Sequence, residues 1–111
     1  MFTVESQGAV DVVKPMAPLN HENAASFLET IQHRLSKGQP MVVLDMSEVP
    51  LVDSAGLDSL LDVQQAIQLR GGTIKLAAIP QLCCEILRIT GVDQRFETFL
   101  DIKSAVGSYV Q

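Results

Sequence analysis

VPLVDSAGLDSLLDV, Val49 to Val63, passes from apolar residues through Asp53-Ser54-Ala55-Gly56 into an amphipathic run. That run sets Leu57, Leu60, Leu61, Val63, Ala66 and Ile67 on one side of a helix and Asp58, Asp62 and Gln65 on the other. Just ahead of it, Met41 to Met46 (MVVLDM) opens with four consecutive apolar residues, the pattern of a central strand covered on both faces. A buried strand, a short loop and a helix therefore follow one another, and Ser54 stands where loop becomes helix. Its hydroxyl has two readings. It can cap the helix by accepting an N–H left unpaired in the first turn. Alternatively, partly exposed on a rigid element, it can be a nucleophile, a contact point or a phosphorylation site.

Downstream of this unit, Gly71-Gly72 ends the helix and Thr73 to Ile79 (TIKLAAI) predicts another strand. Pro80 suits a first helical residue ahead of the inward-facing Leu82, Cys83, Ile86 and Leu87, and Gly91 stops that helix. Arg95 to Leu100 (RFETFL) predicts a short strand, and Asp101 caps a last helix whose Ile102, Ala105, Val106 and Tyr109 share a face. Upstream, Ala24, Phe27, Leu28, Ile31 and Leu35 recur at helical spacing, with Asn20 or Asn23 as cap and Gly38 beyond the last turn. Pro15 and Pro18 keep the preceding segment out of a helix. Phe2 to Lys14 alternates apolar with polar residues around Gly8, which predicts a hairpin. The order is ββαβαβαβα. It implies a single α/β domain over residues 1–111, with a mixed, mostly parallel sheet of about four to five strands and about four helices.

A chain of 111 residues buries roughly two-thirds of the surface it exposes when unfolded, enough for a core without metals or disulfides. With 47% hydrophobic and 19% charged residues the composition is that of a globular protein, not a disordered one. Eight Lys plus Arg against 13 Asp plus Glu give a net charge of −5. No basic cluster is present to release counterions from a phosphate backbone, which argues against nucleic acid as a partner. Cys83 and Cys84 are adjacent in a helical pattern, where a disulfide between them would need distorted geometry, so both are expected as reduced packing residues. No segment approaches the ~18 apolar residues of a membrane span. The expectation is a cytoplasmic protein without direct membrane insertion.

A catalytic serine needs companions. Asp-Ser-Ala-Gly superficially resembles the Asp-Ser-Gly of trypsin-like proteases, but those enzymes need a double β-barrel about twice this length, and the hydrolase signature G-x-S-x-G requires glycine where Val52 stands. The histidines, His21 and His33, lie in or beside the first helix, and His33 follows Glu29 by one helical turn as a solvent-facing pair. No general base accompanies Ser54. Nor does any spacing of His and Cys gather metal ligands, and Gly71-Gly72 follows a helix instead of opening one as a phosphate loop would. The reading is a protein that is not an enzyme and has no cofactor.

VVLDMSEVPLVDSAGLDSLL resembles the signature of STAS domains, and especially of bacterial anti-sigma factor antagonists: a buried strand, a short loop, then Asp-Ser-(Ser/Thr/Ala)-Gly-(Leu/Ile) at a helix start. The similarity continues through RGGTIKLAAIPQLCCEILRITGVDQRF. In those antagonists the serine at the position of Ser54 is phosphorylated by a partner that is both kinase and anti-sigma factor. The resemblance thus implies a protein-binding regulator switched at Ser54, with that partner and a phosphatase acting on it. It implies a binding surface of Asn20, Asp53, Ser54, Ala55, Gly56, Asp58 and Asp62. Before the first helix the chain departs from the family: antagonists commonly carry Gly-x-Leu-Asp, and here Ala17-Pro18-Leu19-Asn20 stands instead, without the carboxylate. The same fold also serves as a subunit or cytosolic domain of membrane transport complexes, the alternative reading.

Overall fold

The computed structural model of the protein describes residues 1–35 and 38–110. The expected domain, residues 1–111, takes in residues 36, 37 and 111, which lie outside the described set. The elements follow in the order β1 (Phe2–Gln7), β2 (Val10–Pro15), α1 (Ala24–Arg34), β3 (Met41–Asp45), α2 (Ser54–Leu69), β4 (Thr73–Ala77), α3 (Gln81–Thr90), β5 (Thr98–Phe99) and α4 (Ile102–Ser108). The five strands form one sheet in the order β1-β2-β3-β4-β5; β1 pairs antiparallel with β2 and the other pairs are parallel. The expected mixed α/β architecture and its element order are what the chain adopts.

Alternation along β3 explains its unbroken apolar run. Val42 and Leu44 join the larger core with Phe27 and Ile31 of α1, Leu60, Val63 and Ile67 of α2, and Cys83 and Leu87 of α3. Val43 faces the opposite side, where Val10, Val12, Ala77 and Ala105 make a smaller core under α4. Both faces of the strand are buried, as parallel strands require. α4 is fastened by its caps as well as by packing. Asp101 accepts the Ser104 N–H at 2.7 Å, a bond that holds its carboxyl below the usual carboxylate range. The Tyr109 hydroxyl lies 2.8 Å from the carbonyl oxygens of Val42 and Thr73, and burial pushes that phenol above its ordinary range. Beside it, the buried Lys75 ammonium donates to Ser108 Oγ at 2.7 Å and sits 4.1 Å from the Tyr109 ring centroid.

Four local expectations need correction. β4 stops at Ala77 instead of reaching Ile79, because Ala78 turns to φ +55°, a left-handed conformation that ends a strand. Only Thr98–Phe99 of the expected Arg95–Leu100 strand pairs; Val92–Arg95 form a 3-10 turn after Gly91, which closes α3 at φ +79°. Leu82 faces solvent, 52% exposed, since the buried stripe of α3 is narrow and consists of Cys83 and Leu87. Cys84 is exposed too, one residue around the helix from Cys83.

Candidate functional site

Two loops at the carboxyl ends of β2 and β3 are zipped together by backbone. Leu19 N–H donates to the Leu51 carbonyl at 3.0 Å and Asp53 N–H donates to the Leu19 carbonyl at 3.1 Å, around a parallel bridge between Leu19 and Val52. Both bridge side chains are buried, anchoring the zip in the core. A third strand of contact comes from α2. A Cβ at Gly56 would stand 1.9 Å from the Leu19 carbonyl oxygen, so only glycine lets the helix come this close. From the other side the Cys83 thiol donates to the Val49 carbonyl at 3.4 Å. The start of α2 is therefore held in place by main-chain and buried groups.

This geometry decides which residue caps the helix. Tied to Leu19, Asp53 is extended at φ −94°, ψ −173°, and its carboxylate accepts the Gly56 N–H at 2.9 Å. Asp53 is the cap. Ser54 is the first helical residue, exposed, and among the described residues its hydroxyl has no hydrogen-bond partner. The capping reading of Ser54 is corrected accordingly. Asp53 also takes the Leu57 N–H on its carbonyl. The N–H groups of Ser54 and Ala55 are left at the helix end, where backbone donors and the helix dipole favour an anion.

Asn20 follows Leu19 directly and so stands next to Asp53. Its side-chain oxygen accepts the Glu22 and Asn23 N–H groups at 3.1 and 3.2 Å, organising the turn into α1, while Asn23 donates to the Pro18 carbonyl at 2.7 Å. Asn20 is half-buried and Ala55 half-buried; Asp53, Asp58 and Asp62 are exposed, and Gly56 is buried. Asn20, Asp53 and Ser54 thus form one end of a surface, and Asp58 and Asp62 continue it along α2. Gly56 contributes close approach, not a contacting side chain. Of the remaining serines nearby, Ser59 is buried and donates to the Gly56 carbonyl at 2.7 Å, whereas Ser47 is exposed.

Two features were missed from sequence. The Leu19 zip joins residues more than thirty apart (19 and 51–53) and leaves no local signal. A shallow indentation of about 210 Å³ between α1 and α2, lined by Ala24, Ala25, Leu28, Ala55, Asp58, Ser59 and Asp62, was signalled only by the small residues facing each other. A larger indentation of about 330 Å³ lies between α3 and β5, and none of the expected site residues lines it. Among the described residues no group of three or more His, Cys, Asp or Glu side chains is gathered closely enough to hold a metal ion, and no helix is long and apolar enough to cross a membrane.

The STAS domain family matches residues 1–105. A protein of Thermotoga maritima described as an anti-sigma factor antagonist is 26% identical over 107 residues, covering 96% of this chain and 95% of that one. The crystal structure of a Thermotoga maritima protein of the same description is similar with a TM-score of 0.90 at 23% identity, covering 99% of this chain and 95% of that one. Part of the murine solute carrier 26 family member A9 anion transporter is also similar: TM-score 0.81 and 25% identity, over 92% of this chain and 18% of that one. The anti-sigma factor antagonist SpoIIAA, solved in its unphosphorylated form, shares the fold at a TM-score of 0.80 and 14% identity, over 98% of this chain and 96% of that one.

Proposed function

The chain belongs to the STAS domain family, and from that premise we propose that it is an anti-sigma factor antagonist switched by phosphorylation of Ser54. Unmodified, it binds a protein partner that is both anti-sigma factor and serine kinase; a phosphate on Ser54 blocks that binding until a phosphatase removes it. The STAS domain is a non-enzymatic regulatory fold, so the chemistry is done to this protein. The observation that carries the reading is the uncommitted Ser54 hydroxyl. It is exposed on a rigid helix end, and because Asp53 already caps α2, modifying Ser54 removes no bond that the fold uses.

The blocking effect has a physical source. A kinase that phosphorylates Ser54 must hold the terminal phosphate of ATP against it, so the partner surface facing Ser54 includes nucleotide phosphates. The product adds about 1.5 to 2 negative charges at pH 7 at that same point, beside Asp53 and one turn from Asp58. Two unit charges 4 Å apart repel by about 4 kcal/mol at an effective dielectric near 20, before salt reduces it. A tenfold loss of affinity needs only about 1.4 kcal/mol. The folded state tolerates the modification because the N–H groups of Ser54 and Ala55 can receive the phosphate oxygens.

The test uses a purified kinase-type anti-sigma factor from the same genome, with ATP. One phosphate is expected, at Ser54, with none on Ser54→Ala; Ser59 is shielded and Ser47 stands outside the surface. Calorimetric titration should show at least tenfold weaker binding after modification. A phosphate confined to Ser47 would refute the site, and equal affinity of the two forms would refute the switch. Equal affinity would favour the second reading, a STAS subunit of a membrane transport complex, which the likeness to the murine anion transporter supports.

A further inference from the structure

The face of α2 that begins at Ser54 continues along the whole helix. Ser54, Asp58, Asp62, Gln65 and Leu69 are all exposed, and at ~100° per residue they fall within an arc of about 80°. At ~1.5 Å per residue that stripe is about 22 Å long. Its flank is the seam where α1 and α2 pack together. Besides the 210 Å³ indentation near Ser54, the seam holds one of about 230 Å³ lined by Ile31, Gln32, Ala66, Ile67, Leu69 and Arg70. Early residues of α1 meet early residues of α2 and late residues meet late ones, so the helices run parallel and the two indentations follow one another along the same seam, here called the trough.

Two properties of the trough specify what would fill it. Its floor is apolar, and at the far end Leu69 is 81% exposed, a large apolar side chain left in water. Its rim is acidic at the end near Ser54: Asp58 and Asp62 line the first indentation, and among the described residues neither has an ion-pair partner. Both walls are helices whose backbone groups are satisfied internally, so no sheet edge is offered to an added strand. A helix of about fifteen residues matches the length. The chain's net charge of −5 attracts a basic surface over distance, and the two aspartates fix which end of it docks where.

Resting on the switch reading above, we propose that this trough takes an amphipathic helix of the same protein partner, with basic side chains against Asp58 and Asp62 and an apolar side chain over Leu69. The two contacts differ in sign. The nucleotide phosphates face Ser54, while the basic residues lie about 6 to 12 Å further along α2, one and two turns away. A phosphate on Ser54 therefore meets charge of its own sign first.

The experiment titrates the kinase-type anti-sigma factor into unmodified variants, with thermal unfolding to confirm that each is folded; Asp58, Asp62, Leu69, Glu5 and Glu85 are all exposed. Asp58→Lys/Asp62→Lys should weaken binding at least tenfold, and Asp58→Asn/Asp62→Asn should weaken it less while flattening its salt dependence. Leu69→Asp should also weaken it about tenfold. Glu5→Lys/Glu85→Lys, which makes the same charge change elsewhere, should stay within threefold. Trough variants that bind within threefold of the parent, or a control that loses as much, would overturn the proposal. Loss in the trough variants alongside unchanged binding of the phosphorylated protein would uphold the trough and refute the switch; the opposite result would do the reverse. No binding by the parent protein would overturn both.

Discussion

Asp53→Ala and Ser54→Ala, compared side by side, test whether the start of α2 is understood. Asp53 gives its carboxylate to the Gly56 N–H at 2.9 Å, and among the described residues no other side chain accepts that N–H. Losing an N-cap of this type costs about 0.5 to 2 kcal/mol, typically ~1. Removing the negative charge from the helix N-terminus adds roughly 0.3 to 1 kcal/mol at low salt. Together these come to about 0.8 to 3 kcal/mol, lowering the midpoint of thermal unfolding by several degrees, at about 3 to 6 °C per kcal/mol for a chain of this size. Asp53→Asn keeps an acceptor and loses only the charge, so it should fall between Asp53→Ala and the parent. Ser54→Ala removes a hydroxyl without a partner and installs a better helix former at an exposed position, gaining up to about 0.5 kcal/mol. Urea unfolding followed by circular dichroism supplies each value from the shift in midpoint at constant slope. A cost of Ser54→Ala as large as that of Asp53→Ala would refute this assignment, because the hydroxyl would then be capping in solution.

Three further outcomes follow from the same geometry. Gly56→Ala forces a Cβ to within 1.9 Å of the Leu19 carbonyl oxygen, a backbone atom that cannot swing aside; a loss of about 1 to 3 kcal/mol is expected, and an unchanged unfolding midpoint would show the contact to be looser than described. Tyr109→Phe takes the hydroxyl from the carbonyls of Val42 and Thr73 and should cost about 1 to 2 kcal/mol in urea unfolding; no change would mean those carbonyls are solvated. Burial, with Cys84 beside it, pushes the Cys83 thiol up, and the group is enclosed, while Cys84 is open to solvent. A disulfide reagent at pH 8 should consume one thiol quickly and the second only on unfolding, and two equally fast thiols would contradict the burial.

The order of elements was legible because each carries its own period. Four apolar residues in a row at Met41–Leu44 are the pattern of a strand buried on both faces, and the glycines at 8 and 91 fell where the chain needed a positive φ. What escaped were properties set by neighbours distant in sequence. Leu82 and Leu87 both read as inward-facing from the sequence, yet they stand about 140° apart around the helix and only Leu87 reaches the core. The β5 strand shrank to Thr98–Phe99 because the preceding residues are drawn into a turn against α2, where buried Gln64 donates its amide to the Arg95 carbonyl. Gln64 lies beside Gln65 of the polar line, and nothing in its local sequence signals that bond.

The site shows the same division at finer scale. Asp and Ser are equally good N-caps, so Asp53-Ser54 alone leaves the first residue of α2 ambiguous by one. The ambiguity is resolved more than thirty residues away, where the Leu19 carbonyl takes the Asp53 N–H and holds Asp53 extended. A residue so held cannot enter the helix; it caps, and its successor is released from that duty. One hydrogen bond between two loops thus decides which of two adjacent polar residues serves the fold and which is left available to a partner. Anything that breaks the zip should move both roles together. Gly56→Ala, which presses on the same carbonyl, is expected to lower stability and to disturb the presentation of Ser54, so that phosphorylation by the kinase slows even at temperatures where the protein is folded. Normal phosphorylation of a folded but destabilised Gly56→Ala would separate the two and show that Ser54 is positioned by α2 alone.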